Sequence, residues 1–344
     1  MRCLVTGGAG FIGSTLVRHL LGRDSLGRPL EQQDTGDVTV VTLDKLTYAG
    51  HLESLEGVLD DPRHRFVQGD VCDGPEVRAL LDGVDVVYHL AAESHVDRSI
   101  AHDQPFVRTN VVGTATLLAA ALDAGVGRFV QVSTDEVYGQ LPWVDPEGED
   151  ARSAPRFTED TPLAPRSPYA ATKAAGDHLA LAYHATHGLD VVVTRGSNTY
   201  GPRQHPEKLI PLMIRHGRAD LPLPVYGDGL NVRDWIHVED HCRGILQAAR
   251  TGQPGRVYNL GGDDERTNLS LVRALLAILD KPESLIDFVK DRPGHDRRYG
   301  VDATRAREEL GWAPAHSLDD RLEACVAWYR ANEAWIEAVS GSPR

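Results

Sequence analysis

The sequence predicts an α/β fold, a doubly wound parallel sheet followed by a smaller C-terminal substrate-binding portion. Three observations carry that expectation. Apolar runs rich in Val, Ile and Leu alternate with segments of helical period from residue 2 to about residue 195. The runs are continuous rather than alternating in polarity, the pattern of strands buried on both faces. A glycine turn, "TGGAGFIG", joins the first run to the first helical segment.

In chain order, "RCLVTG" is the first expected strand and "FIGSTLVRHLLG" the first helix, closed by glycine. "DVTVVTLD" and "RHRFVQGD" follow as strands, then "GPEVRALLDG" as a helix, "VDVVYHLA" as a strand and "GTATLLAAALDAG" as a helix. The strand "GRFVQVST", the helix "YAATKAAGDHLALAYHATHG" and the strand "LDVVVTRG" complete the alternation. Repeated strand-helix-strand units imply right-handed crossovers, which lay helices on both faces of a parallel sheet. Two segments break the rhythm, residues 22–37 ("GRDSLGRPLEQQDTGD") and 141–162 ("LPWVDPEGEDARSAPRFTEDTP"). Both are rich in Pro, Gly and charge and read as surface loops, the second placed to cover a site at the sheet edge. Beyond residue 200 Gly, Pro and Arg become frequent and the regular elements short. The expected division is a main α/β domain over 1–199, a smaller portion over 200–330 stacked on the carboxyl ends of the strands, and a tail over 331–344.

The glycine turn places Gly7, Gly10 and Gly13 between strand and helix. That spacing serves a tight turn, close approach of the backbone to a pyrophosphate, and close packing of helix on strand, with the phosphates at the positive end of the helix dipole. It makes the first domain Rossmann-type. Asp44 ends the second strand, where a carboxylate accepts hydrogen bonds from both ribose hydroxyls and repels a 2′-phosphate, so NAD is expected over NADP. The 22–37 insertion accounts for a separation from the glycines longer than the usual ~20 residues. Lys45 weakens the preference, since a neighbouring cation attracts that phosphate. Asp70 in "QGDV" is open to two readings, an adenine contact or a strand-ending turn.

"SPYAATKAAG" sets Tyr169 and Lys173 four residues apart, on one face of a helix. A Tyr with a pKa near ~10 is a poor base, and a nearby ammonium together with a positively charged nicotinamide would favour its phenolate. In "STDEVYG" two adjacent acids, Asp135 and Glu136, directly follow the apolar run "RFVQV". A carboxylate pair where a buried strand ends needs either water or a task.

Bulk properties narrow the field. The net charge of −14 opposes nonspecific binding to nucleic acid or anionic membrane, so an anionic ligand must be held by a local cluster of cations and N–H groups. No apolar run approaches the ~20 residues of a bilayer span, and the start "MRCLVTGGAG" lacks the pattern of a signal peptide. Cys3, Cys72, Cys242 and Cys325 show no CxxC spacing, and the 15 His residues no HExxH. Scattered thiols fit a reducing cytoplasm, with neither a disulfide framework nor a metal site expected.

With the glycine turn, Asp44, Tyr169 and Lys173, together with "HLAAESHV" and "RTNVVGT", the chain resembles the extended short-chain dehydrogenase/reductase family over nearly its whole length. "STDEVYG", "LAAESHVDRSI", "HPEKLIP", "YGDGLNVRDWIHVEDH" and "DRPGHDRRYG" narrow the resemblance to its nucleotide-sugar 4,6-dehydratases acting on dTDP-glucose. The resemblance implies oxidation at carbon 4 with NAD, elimination of water across carbons 5 and 6, and return of the hydride to carbon 6. It assigns Tyr169 with Lys173 to the oxidation, Asp135 as general acid, Glu136 as general base, and Thr134 to the 4-hydroxyl. It implies NAD contacts at Gly7, Gly10, Phe11, Ile12, Gly13, Asp44, Lys45, Leu46, Thr47, Asp70, Val71, Leu90, Ala91, Ala92, Glu93, Thr109, Tyr169, Lys173 and Thr199. Sugar-nucleotide contacts are implied at Ser94, Thr134, Asn198, Lys208, Leu209, Pro224, Tyr226, Arg233, Asn268, Asp291, His295 and Arg298, with Arg233, His295 and Arg298 on the diphosphate and Tyr226 stacked on thymine. One departure is "SNTYGP", with Thr199 where the family often has a second Asn, a change that alters a nicotinamide contact. Homodimerisation through helices near 107–124 and 169–187 is a further family expectation. The rivals are a 4-epimerase, which has no use for the acid pair, a dehydratase of UDP-glucose, and a non-catalytic NAD sensor or scaffold.

Overall fold

The computed structural model describes residues 1–30 and 38–340. Its strands in chain order are β1 (Arg2–Thr6), β2 (Thr39–Asp44), β3 (His64–Gln68), β4 (Val86–His89), β5 (Arg128–Thr134), β6 (Val191–Gly196), β7 (Asn198–Tyr200), β8 (Leu223–Tyr226), β9 (Val232–His237), β10 (Val257–Leu260), β11 (Glu265–Thr267) and β12 (Ile286–Val289). The main sheet is parallel throughout, in the order β3-β2-β1-β4-β5-β6-β10. Its first six strands are those expected from the apolar runs. The strand order reverses between β1 and β4, where Cys3 lies opposite Val86 and Thr6 opposite His89. A crevice opens outside the carboxyl ends at such a switch point, because the two crossovers leave in opposite directions.

Alternation along each strand divides the core into two faces. Cys3 and Val5 pack with helix Phe11–Leu20 and helix Val238–Thr251, while Leu4 turns to the opposite face with Val77, Leu117, Leu118 and Phe129. Helix Val238–Thr251 and β10 therefore complete the first layer with chain from beyond residue 200. The remaining C-terminal chain forms a second core of Tyr200, Met213, Trp235, Leu275, Trp328 and Trp335 among helices Leu209–Arg218, Asn268–Leu279 and Leu318–Ala331. Two small sheets, β11-β9-β7 and β12-β8, complete this portion. Within residues 331–344 a helix, Glu333–Ser340, buries Trp335 and Val339 against that core; residues 341–344 lie outside the described residues. Of the 22–37 insertion, residues 31–37 also lie outside them.

Two helices position chemistry. Pro168–His187 begins with Ser167, whose Oγ accepts the Ala170 N–H at 3.1 Å, and with Pro168, whose missing N–H costs nothing in the first turn. Gly188, at φ +71°, ends it. Inside, Asp177 forms a buried ion pair with Arg195 of β6 at 2.9 Å, fixing the helix to the sheet. Helix Gln104–Asp123 contains a π-helical segment, Val107–Gly113, a deviation frequent at functional sites. It aims Asn110 across the crevice wall: the amide accepts from Glu93 N at 2.9 Å and donates to Glu93 O at 3.0 Å and Thr172 Oγ1 at 2.9 Å.

Candidate active site

The crevice holds a cavity of about 330 Å³ running from the glycine turn to the acid pair. Gly7 sits at φ +72° with Ala91 N only 2.6 Å from where its Cβ would stand, so the turn passes against the backbone leaving β4 as closely as a glycine permits. A Cβ on Gly13 would meet Gly7 O at 2.1 Å, which ties helix to strand. Gly10 caps the helix with no side-chain hydrogen bond, leaving the first N–H groups directed at the cavity. Asp44 is 8% exposed, its Oδ2 accepting Ala9 N–H at 2.9 Å and its Oδ1 accepting Leu46 N–H at 2.8 Å. Burial raises its pKa, opposed by these two bonds. Lys45 is engaged by Asp70 at 2.8 Å, which removes the free cation that a 2′-phosphate would seek. A glycine cradle, an uncapped helix and a strand-end carboxylate together suit an adenine dinucleotide lacking that phosphate.

Of the residues expected to touch the dinucleotide, all but Leu46 line this cavity. Leu46 instead holds φ +56° and packs on the hydrophobic core. Ser94, Thr134, Asn198 and Lys208, expected on the substrate, line it as well, whereas Leu209, Pro224, Tyr226, Arg233, Asn268, Asp291, His295 and Arg298 do not. No residue of the 141–162 loop does either; that loop lies along the 296–301 segment, with Leu141 N bonded to Arg298 O at 3.0 Å and Phe157 N to Gly300 O at 2.9 Å.

At the far end β5 delivers "STDEVYG" to the crevice. Thr134 caps a 3-10 turn over Asp135–Tyr138, its Oγ1 accepting Glu136 N–H and donating to Asp135 Oδ1, each at 3.3 Å. The two acids have unlike surroundings. Asp135 is 2% exposed with Oδ2 unpartnered among the described residues, and burial, then the Glu136 and Asp234 carboxylates, push its pKa well above the usual range. Glu136 is also raised by burial, but Arg292, Arg233 and Lys208 pull it back toward its ionised form. Opposed environments of this kind separate a proton donor from a proton acceptor within one pair.

Tyr169 lines the cavity together with Lys173 and the acid pair. Burial raises its pKa well above normal, followed by the charges of Glu136, Tyr48 and Asp135, while a hydrogen bond with Thr134 opposes them. Lys173 donates to Val132 O at 2.7 Å, and burial lowers its own pKa to about 8.

The three residues expected on the diphosphate have unlike surroundings. Arg298 is fully buried and clamps Glu265 through Nε at 2.6 Å and Nη2 at 3.0 Å, so its guanidinium is committed to the fold. His295 is held neutral, its pKa lowered to about 4 by burial and then by Arg292 and Arg233, leaving it a hydrogen-bonding group rather than a charge. Its Nδ1 lies 2.7 Å from Asp291 Oδ1, and Tyr226 meets its ring edge-on at 6.0 Å. Arg233 is fixed by Val232 O at 2.7 Å and Asp296 O at 2.9 Å and lies over Tyr299. The cation that sequence reasoning passed over is Arg292, half-buried and 3.6 Å from Asp97, the strongest charge lowering the Glu136 pKa. It lies inside "DRPGHDRRYG", where four basic residues share ten positions and spacing cannot rank them. Asn110 and His241 were likewise missed, each inside a quoted motif but without a distinguishing pattern.

Comparison with known proteins agrees with this geometry. The model of the family described as GDP-mannose 4,6 dehydratase matches residues 4–325. A dTDP-glucose 4,6-dehydratase of Streptomyces griseus is 54% identical over 98% of this chain and 96% of its own length. Another, from an Actinoplanes species, is 52% identical over 97% and 99%. The crystal structure of DesIV, a dTDP-glucose 4,6-dehydratase from Streptomyces venezuelae with NAD bound, superimposes with a TM-score of 0.90 at 50% identity, covering 98% of this chain and all of that one. The glycine cradle, the Tyr169–Lys173 helix and the acid pair thus sit in a chain that belongs to the GDP-mannose 4,6 dehydratase family, among the extended short-chain dehydrogenase/reductases.

Proposed function

We propose that the protein is an NAD-dependent dTDP-glucose 4,6-dehydratase, a lyase converting dTDP-glucose to dTDP-4-keto-6-deoxyglucose and water. One observation carries the choice of reaction: Asp135 and Glu136 are adjacent, face the same cavity as Tyr169 and Lys173, and differ in what surrounds them. NAD, when bound, accepts the hydride from carbon 4 and returns it to carbon 6. Gly7, Gly10 and Gly13 hold its pyrophosphate and Asp44 its adenosine ribose. Tyr169 takes the 4-hydroxyl proton, with Thr134 orienting it. Glu136, kept closer to ionisation by Arg292, Arg233 and Lys208, removes the proton at carbon 5. Asp135, kept protonated by burial and by Glu136, gives its proton to the departing 6-hydroxyl. A 4-epimerase returns the hydride to carbon 4 and requires neither transfer. The names of the relatives support the thymidine nucleotide over UDP.

In this reading residues 1–199 bind mainly NAD, residues 200–330 mainly the sugar nucleotide, and the C-terminal helix braces the latter. We extend it to a cytoplasmic homodimer without nucleic acid or membrane partners. Helix Gln104–Asp123 is long and apolar enough to cross a bilayer, yet it packs on helix Pro168–His187 and exposes Val107 and Val112, a face suited to a second copy. Incubating the purified protein with dTDP-glucose and with UDP-glucose tests the proposal. The 4-keto-6-deoxy product from the thymidine substrate is expected; an epimerised sugar, or no turnover of either, would refute it.

A further inference from the structure

A buried polar chain outside the cavity joins the two motifs that face it. In the main sheet Arg195 of β6 stands beside Ser133 of β5 on one side and Asn259 of β10 on the other. Neighbours in register point to one face, here the face covered by helix Pro168–His187. Tyr138, the last residue of the turn that carries Asp135 and Glu136, reaches this row. The direction of its hydrogen bonds is fixed. Asn259 Nδ2 donates to Phe157 O at 3.0 Å and to Asp302 O at 3.3 Å, so the amide's Oδ1 is the atom that faces Tyr138. That oxygen only accepts, so the phenol gives it a proton at 2.8 Å and takes the Arg195 Nη1–H at 2.9 Å. Arg195 Nε donates in turn to Asp177 Oδ2 at 2.9 Å, one helical turn beyond Lys173. Tyr138, Asn259, Arg195 and Asp177 are between 0% and 3% exposed, and none of them lines the cavity.

The acid end of the same turn is held less closely. Thr134 Oγ1 makes bonds of 3.3 Å to Asp135 and to Glu136, Gly139 N reaches Glu136 O at 3.2 Å, and Asp135 Oδ2 has no partner among the described residues. In a 3-10 turn residues three apart stand one above the other, so a grip on Tyr138 is a grip on Asp135. We infer that Tyr138, clasped by Arg195 and Asn259, is a positioning residue that keeps the acid pair in register with the Tyr169–Lys173 helix and serves the elimination rather than the oxidation. Tyr169 and Lys173 keep supports of their own, the Ser167 cap and the Val132 carbonyl. The inference rests on the dehydratase reading of the site.

Tyr138→Phe removes the hydroxyl and keeps the ring that stacks on Phe157 at 5.0 Å. Rapid-quench single turnovers of the holoenzyme with dTDP-glucose separate the halves of the reaction. Loss of substrate reads oxidation, appearance of 6-deoxy product reads elimination and hydride return, and absorbance at 340 nm reads the NADH held between them. In the variant, substrate loss should stay within about 3-fold of the unsubstituted protein while product formation slows about 10- to 100-fold, the scale of a displacement near 1 Å, and NADH persists. Asn259→Ser withdraws the oxygen that takes the phenol's proton; it should divide the two phases in the same way, and it supplies the reading if Tyr138→Phe does not fold. Equal slowing of both phases, slowing of neither, or loss of folding in both variants would overturn the inference and leave the dehydratase reading standing. Failure of the unsubstituted protein to form the 6-deoxy product would remove that reading and the inference with it.

Discussion

Glu136→Gln isolates one proton transfer. The substitution keeps side-chain size and removes the charge that, after burial, acts most strongly on both Asp135 and Tyr169. Relieved of that charge, Tyr169 becomes a better base, so oxidation at carbon 4 should survive. Removal of the carbon 5 proton should not. A general base contributes ~10²- to 10⁴-fold, equivalent to about 2.7–5.4 kcal/mol of barrier. The assay is deuterium incorporation at carbon 5, read by NMR of sugar nucleotide recovered after incubation in heavy water. Asp135→Asn is its counterpart: exchange at carbon 5 should continue while 6-deoxy product falls by a similar factor. Exchange at the unsubstituted rate in Glu136→Gln would refute the assignment of the base, and the reverse pattern in the two variants would exchange their roles.

Arg298→Met should act on stability rather than on nucleotide affinity. It leaves Glu265 buried with Arg156 as its remaining cation, at 3.0 Å, so a loss of about 3 kcal/mol is expected in urea unfolding. A large rise in KM with stability intact would return Arg298 to the diphosphate. His89→Gln should change the acid limb of stability. His89 is buried between Thr6 and Thr114, and burial lowers its pKa to about 3, so the folded protein stays neutral there while the unfolded chain takes up a proton below about 6.5. Folding therefore loses stability as pH falls through that window, by about 1.4 kcal/mol per pH unit for this one group. Urea midpoints measured across the window should show the variant's slope smaller by one proton; equal slopes would show that His89 titrates normally.

What could be read from the sequence was local. Six parallel strands, the glycine turn, Asp44 and the Tyr169–Lys173 spacing each follow from a periodicity or a short motif, and all appear where expected. The strand β10 could not be read, because "RVYNL" is too short to announce a place beside β6 from across an intervening portion. The surroundings of the basic residues were out of reach for a related reason. Arg298 is held by Glu265, 33 positions away, and Arg292 lies near Asp97, contacts that nothing adjacent in the chain announces. The acid pair was visible as an oddity, but its division of labour comes from Arg292, Arg233 and Lys208, contributed by three separate segments after residue 200.

The position of β10 has a consequence for how the chain is made. Until it emerges, β6 presents its Val191–Gly196 backbone as an open parallel edge, all six residues of which are buried in the finished protein. Roughly 60 residues separate the two strands, so at ~5–20 residues per second a nascent chain carries that edge for roughly 3 to 12 s. Such an edge is a template for pairing with another chain. The cofactor half cannot therefore be released from the ribosome, or excised by a designer, as an independent unit ending near residue 199; the strand that seals it is encoded on the far side of β7, β8 and β9.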